Sequence, residues 1–179
     1  KYSQNIENSK ILICGYGNIS KSLIKDLKNL KLNYDILSNQ ELKSNKLKFH
    51  KYRSLNRIIK QYDIIINNLP LNSRTYEIFN EKIFSKLKKN VSIISIGRSE
   101  IFHFSSLKKF YKSNINASLY IDIAEKNLTK GNLLGINKLI NVYATPHIGG
   151  YSKLYWDKEM QLFMENLKLF INNKRLINK

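Results

Sequence analysis

Cysteine, proline, glycine and acidic residues are all scarce in this chain of 179 residues, and each scarcity closes off a class of protein. The single cysteine, Cys14, excludes an internal disulfide and a cysteine cluster for zinc. It lies in the apolar run Ile11 to Cys14 and is expected to be a small buried hydrophobe. No apolar run approaches the ~18 residues of a membrane span, and no signal-peptide pattern opens the chain. The protein therefore reads as cytoplasmic, with no membrane partner. Internal repeats and linkers rich in Pro, Gly or Ser are also missing. Asp and Glu number 13 against 31 Lys and Arg, a net charge of +18. The excess is lysine, 26 residues against five arginines, spread along the chain with no block beyond short pairs such as Lys88-Lys89. The 25 isoleucines and 23 asparagines show the same one-residue bias within their classes, as an AT-rich coding sequence produces. The charge is thus read as a solvated lysine surface, with no nucleic-acid partner.

Hydrophobic periodicity carries the fold. KILIC (10–14) is a short strand ending at GYG, and Ile19, Leu23, Ile24, Leu27 and Leu30 then recur at helical spacing. Strands are expected at Tyr34–Leu37, weakly at Leu47–His50, and at 63–70, 91–97, 117–123 and 139–145. Helices are expected near Arg53–Gln61, Phe79–Leu87 and Ser105–Tyr111, with a loop over Gly131–Lys138. A last amphipathic helix carries Met160, Phe163, Met164, Leu167 and Phe170, with Asp157 as its expected cap. Strands alternating with helices specify an α/β fold, a three-layer doubly wound parallel sheet.

GYGNIS (15–20) follows a strand and opens a helix, the setting of a dinucleotide turn. Gly15 permits the bend, Gly17 lets backbone approach a pyrophosphate at the positive end of the helix, and Ser20 takes the place of a third glycine. Alone, the motif is weak. Twenty-one residues past Gly17, where an acid would bind ribose hydroxyls, stands Ser38, followed by Asn39 and Gln40. The missing carboxylate removes repulsion against a 2′-phosphate, yet no arginine is nearby in sequence to attract one and Lys43 is the closest cation, so NAD versus NADP stays open, with a lean to tolerance of both. Asp35 lies too early in the strand to substitute.

Five segments then line up in order: GYGNIS, LPLNSRT (69–75), SIGRSEI (95–101), YIDIAEKNL (120–128) and TPHIGG (145–150). Both prolines and five of the seven glycines lie within them. In this order and spacing they resemble the nicotinamide-binding domain of the D-isomer-specific 2-hydroxyacid dehydrogenase family, over nearly the whole chain from about Ile6. The resemblance implies a Rossmann-type domain over residues 1–150 and a helix over 151–179 that in the family returns to the substrate domain. The family's N-terminal substrate domain is expected to be absent from these 179 residues. NAD or NADP is the implied cofactor, held by Gly15, Gly17, Asn18, Ile19, Ser38, Leu69, Pro70, Thr75, Ile96, Gly97, Asp122 and Gly150. The implied substrate is a 2-hydroxy or 2-oxo acid, its carboxylate gripped by Arg98 and its oxygen exchanging a proton with His147. Reducing a 2-oxo acid builds negative charge on oxygen, which independently favours a fixed guanidinium and an imidazole.

One departure bears on catalysis. Where the family pairs its histidine with a glutamate, this chain has Asn127, and an amide orients a ring without supplying charge. Two readings follow: an NAD(P)-dependent oxidoreductase with a shifted pH profile, or a nucleotide-binding module with a sensor or oligomerisation role. An uncovered apolar face on the last helix would favour a homodimer. His50 and His103 are expected to be solvent or loop histidines, and no metal is expected.

Overall fold

In the computed structural model, which describes residues 6–40, 47–123 and 135–177, seven strands form one all-parallel sheet in the order β3-β2-β1-β4-β5-β6-β7. The strands are β1 Lys10–Cys14, β2 Asn33–Leu37, β3 Phe49–His50, β4 Ile64–Asn67, β5 Ser92–Ser95, β6 Ser118–Asp122 and β7 Val142–Thr145. The helices are α1 Asn18–Asn29, α2 Leu55–Ile58, α3 Glu81–Phe84, α4 Phe104–Ser113 and α5 Tyr155–Ile171. This is the expected Rossmann-type α/β architecture. The chain divides into two compact units, Lys1–His147 and Ile148–Lys179.

The central strands are apolar on both sides because both sides are covered. In β1, Ile11 and Ile13 pack with Ile24 and Leu27 of α1, whereas Leu12 and Cys14 belong to the larger core that holds residues of α2, α3 and α4. Cys14 is fully buried as expected, and burial pushes its thiol well above the ordinary value. The chain order reverses at β1, which lies between β2 and β4, so a crevice opens at the carboxyl ends of β1 and β4. One residue row crosses the sheet through Ile13, Ile66, Ile94, Tyr120 and Tyr143. Its β5–β7 members Ile94, Tyr120 and Tyr143 are exposed, with the two tyrosine rings stacked 4.9 Å apart.

Several boundaries differ from the sequence expectation, each for a local reason. Asn80 accepts a hydrogen bond from the Ile83 amide and starts α3 two residues late, leaving Phe79 to bridge Phe102. The helix expected over Arg53–Gln61 tightens to 3₁₀ turns at Tyr52–Ser54 and Ile59–Gln61. Ile136–Lys138, expected in a loop, forms a 3₁₀ turn entered through Gly135 at φ 77°. Asp157 does not cap α5: Leu154 occupies that position and Asp157 lies inside the first turn, where its charge complements the helix dipole. Taken by itself, α5 leaves Met160, Phe163, Met164, Leu167 and Phe170 exposed.

His50 is not a loop histidine. It lies in β3, and its Nε2 is 3.2 Å from Asp35 Oδ2. Asp35 also accepts the Tyr62 hydroxyl at 2.6 Å and lies 3.6 Å from Lys10 and 3.7 Å from Lys48. Burial pushes the Asp35 carboxyl up, but the hydrogen bonds from Tyr62 and His50 and the charges of Lys48 and Lys10 outweigh it and hold the group below its ordinary value. This node ties β2, whose end borders the crevice, to β3 and to the segment entering β4. A carboxylate depressed in the folded state stabilises above its unfolded value and loses that contribution as pH falls through the folded one. Asp35→Asn should therefore cost about 1–3 kcal/mol at pH 7. Denaturant titration should show the deficit shrinking below about pH 4, the unfolded aspartate value.

Candidate nucleotide-binding site

The carboxyl ends of β1, β2, β4 and β5 enclose a cavity of about 1020 Å³. Gly15, Gly17, Asn18 and Ile19 form one wall. Gly15 has φ 102°, a conformation side chains rarely adopt, and a Cβ on it would lie 2.8 Å from the Asn68 carbonyl oxygen. The glycine turn and the exit of β4 are thus in backbone contact. Gly17 differs: a Cβ there would meet no protein atom within 4 Å. Gly17 also occupies the N-cap of α1 with no side chain capping the helix. The first-turn amides of α1 therefore remain donors at its positive end, facing the cavity wall.

The β4 and β5 loops form the opposite wall, and buried amides set their positions. Asn67 Nδ2 donates to Ser95 Oγ at 3.0 Å, while Asn67 Oδ1 accepts from the Leu69 amide at 3.3 Å. Gly97 fits against them because a Cβ would approach Leu69 O at 3.0 Å and Asn67 Nδ2 at 3.3 Å. Asn68 Nδ2 donates to Ser20 Oγ at 3.1 Å, joining the loop to α1, and Ser20 is fully buried as close helix packing requires. Asn68 Oδ1 is buried with no hydrogen-bond partner among the described residues, an orphan acceptor on a cavity-lining residue. Leu69, Pro70, Ile96 and Gly97 line the cavity. Thr75 does not: it is fully buried, and its hydroxyl donates to Pro70 O at 2.6 Å and accepts from the Asn72 amide at 2.9 Å. It shapes the Pro70–Thr75 turn from within.

At the end of β2, Ser38 lines the cavity and its Oγ accepts from the Gln40 amide at 3.2 Å. Asp35 is engaged in its own node, as its early position in the strand requires. Here the structure supplies what sequence proximity could not: Arg74, thirty-six residues from Ser38, lines the same cavity. Tyr52 also lines it and donates its amide to Asn39 Oδ1 at 2.9 Å. Burial holds the Tyr52 phenol above its ordinary value, with the positive charge of Arg74 pulling the other way. Arg74 and Tyr52 were missed as site residues; Arg74 already lay inside the LPLNSRT segment. Asn67 and Asn68 were missed as well, although two amides directly after an apolar strand are a signal in themselves.

Arg98 follows β5, is exposed and lines the cavity. Among the described residues no carboxylate lines the cavity or pairs with Arg98 or Arg74. Asp122 ends β6, buried, and its carboxylate accepts the Thr145 hydroxyl of β7. His147 is two residues beyond β7, exposed, with φ 58° and its amide on Thr145 O at 3.0 Å. A positive φ on a non-glycine residue is a strained choice. Asp122 and His147 do not line the cavity, but the parallel pairing of β5, β6 and β7 brings them to the sheet edge that carries Arg98. Gly150 belongs to the second unit, and Asn127 lies outside the described residues.

This arrangement offers a dinucleotide-sized cavity, helix-terminal amides without a side-chain cap and, among the described residues, cations without competing acids. The comparisons agree with it. A family model described as D-isomer specific 2-hydroxyacid dehydrogenase, NAD binding domain, matches residues 1–149. The chain is 27% identical over 168 residues to a glyoxylate reductase of Pyrococcus horikoshii, covering 93% of this chain and 49% of that protein. Among solved structures it superposes on an acyclic imino acid reductase in complex with NADPH and D-Arg with a TM-score of 0.84 at 22% identity, covering 97% of this chain and 54% of that one. An NAD-complexed D-isomer specific 2-hydroxyacid dehydrogenase from Lactobacillus delbrueckii ssp. bulgaricus gives a TM-score of 0.81 at 19% identity, covering 97% and 56%. The chain spans about half the length of the curated relatives it matches. With all seven strands of its sheet inside the matched region, the chain belongs to the D-isomer specific 2-hydroxyacid dehydrogenase family, as its NAD binding domain.

Proposed function

We propose that this chain is the coenzyme-binding part of an oxidoreductase that moves hydride between a nicotinamide coenzyme and a 2-hydroxy or 2-oxo acid. The observation that carries the proposal is the cavity at the carboxyl edge, with Gly17 open toward it, the start of α1 uncapped and Arg98 free of carboxylate partners among the described residues. The bound coenzyme supplies the hydride acceptor or donor. In this reading the pyrophosphate is held by the backbone from Gly15 to Ile19, by hydrogen bonds and the helix field. Leu69, Pro70 and Ile96 exclude water beside it. Arg98 binds the substrate carboxylate and steadies charge on the carbonyl oxygen, since a guanidinium matches a carboxylate through two parallel hydrogen bonds. His147 gives that oxygen its proton during reduction and takes it back during oxidation, and Asn127 orients the imidazole without adding charge. The alternative is a module that binds the coenzyme without turnover, favoured by Asn127. A cytoplasmic homodimer completes the proposal. The exposed row Ile94, Tyr120 and Tyr143 supports self-association, which sedimentation velocity should report as about twice the 21.0 kDa chain mass.

The two glycines separate folding from binding. Gly15→Ala should lower the thermal midpoint, because its Cβ meets the Asn68 backbone at a positive φ. Gly17→Val should leave the midpoint within about 2 °C while weakening coenzyme binding at least about tenfold, read by nicotinamide fluorescence.

Catalysis is tested on the full-length gene product with a panel of 2-oxo acids. His147→Gln should lower kcat by about 10² to 10⁴ with coenzyme affinity retained, and Arg98→Gln should act mainly on KM for the acid. Asn127→Glu should move the pH profile of reduction upward by favouring the protonated imidazole. Coenzyme binding without turnover on any 2-oxo acid would favour the non-catalytic module, and failure to bind either coenzyme would end the proposal.

A further inference from the structure

Resting on the coenzyme-site reading above, we infer that the cavity selects NADP(H) over NAD(H), holding the 2′-phosphate at the end of β2, beside Ser38 and Lys51 and within the cavity that Arg74 lines. In a dinucleotide fold the end of the second strand faces the adenosine ribose, where a carboxylate accepts the 2′- and 3′-hydroxyls of NAD and repels a 2′-phosphate. Here that place is taken by Ser38, buried yet lining the cavity. Its Oγ already accepts the Gln40 amide at 3.2 Å, which leaves the hydroxyl hydrogen to donate to an anion.

One cation stands beside it and a second lines the same cavity. Lys51 Nζ is fixed on the carbonyls of Asn39 at 3.1 Å and Gln40 at 3.2 Å, the two residues after Ser38. Those carbonyls satisfy only part of an ammonium's donor capacity and none of its charge. Arg74 enters from the β4 loop. Tyr52 lines the cavity together with Arg74 and has its amide on Asn39 Oδ1 at 2.9 Å, next to the Ser38 turn. Arg74 takes no carboxylate partner among the described residues.

The charge balance decides between the coenzymes. NAD brings a neutral ribose diol to this corner and finds one serine hydroxyl and no described carboxylate. NADP brings a phosphate carrying about −1.5 to −2 charge at neutral pH, and finds a hydroxyl donor, an ammonium and a planar guanidinium suited to paired oxygens.

The test titrates the 179-residue chain with NADPH and with NADH by nicotinamide fluorescence, and with adenosine 2′,5′-bisphosphate and 5′-AMP as competitors. NADPH should bind at least about tenfold tighter than NADH, as hydrogen bonds to charged groups imply. The bisphosphate should displace it better than AMP. Arg74→Gln, an exposed position, should reduce the NADPH-to-NADH ratio about tenfold, and Ser38→Asp should invert the preference by placing a carboxylate against the phosphate. Thermal melts establish that both variants are folded. Equal affinity for the two coenzymes, or a ratio that Arg74→Gln leaves unchanged, overturns the inference while the coenzyme site stands. Failure of both coenzymes to bind overturns the site reading and this inference with it.

Discussion

The site depends on one close approach of backbone to backbone. The turn after β1 lies against the exit of β4 with no room for a side chain, Gly15 facing the Asn68 carbonyl at a spacing that even a methyl group would violate. This contact sits where the strand order reverses, between β2 on one side and β4 on the other. Because every strand pair is parallel, the loops that must surround a ligand all leave from one edge of the sheet. The contact also sets the distance between the start of α1 and the β4 loop, and the Asn68–Ser20 hydrogen bond holds it. The cavity is the space left over once those elements are fixed.

Polar groups then give that space its chemistry. Asn67 and Ser95 are buried side by side between β4 and β5, and leaving either unpaired there would cost the desolvation of a buried amide or hydroxyl. Their pairing fixes Leu69 and Gly97 and, through them, the stretch that presents Arg98. Helix-terminal amides and two arginines without described carboxylate partners make the walls attractive to anions. The lysine excess elsewhere on the surface adds a diffuse field of the same sign.

The fold was legible because its signals are local. β1 and β4 read as apolar runs and α1 as a helical period, and the glycine turn followed from its place between strand and helix. Boundaries were less legible where a side chain rather than the period decided them, as with Asn80 at the start of α3. The candidate site was legible where the backbone packs too closely for a side chain, at Gly15 and Gly97. It was not legible where the fold joins residues distant in sequence. Arg74 lies thirty-six positions from Ser38 and reaches the same cavity only because β4 pairs with β1. His50 reads as a loop histidine until β3 pairs with β2 and sets it against Asp35. Thr75 lies in the right motif, yet its hydroxyl turns inward to close the loop.

The proposed site gathers the glycine turn, the arginine after β5 and the histidine after β7 around one bound coenzyme at the carboxyl edge of the sheet. Chemical-shift mapping on the ¹⁵N-labelled chain during titration with NADPH tests it most directly. Amides of Asn18, Ile19, Ser38, Ile96 and Arg98 should move together on one binding curve, with His147 among them. Movement confined to the opposite edge of the sheet, or a silent Gly15–Ser20 turn, would contradict the account.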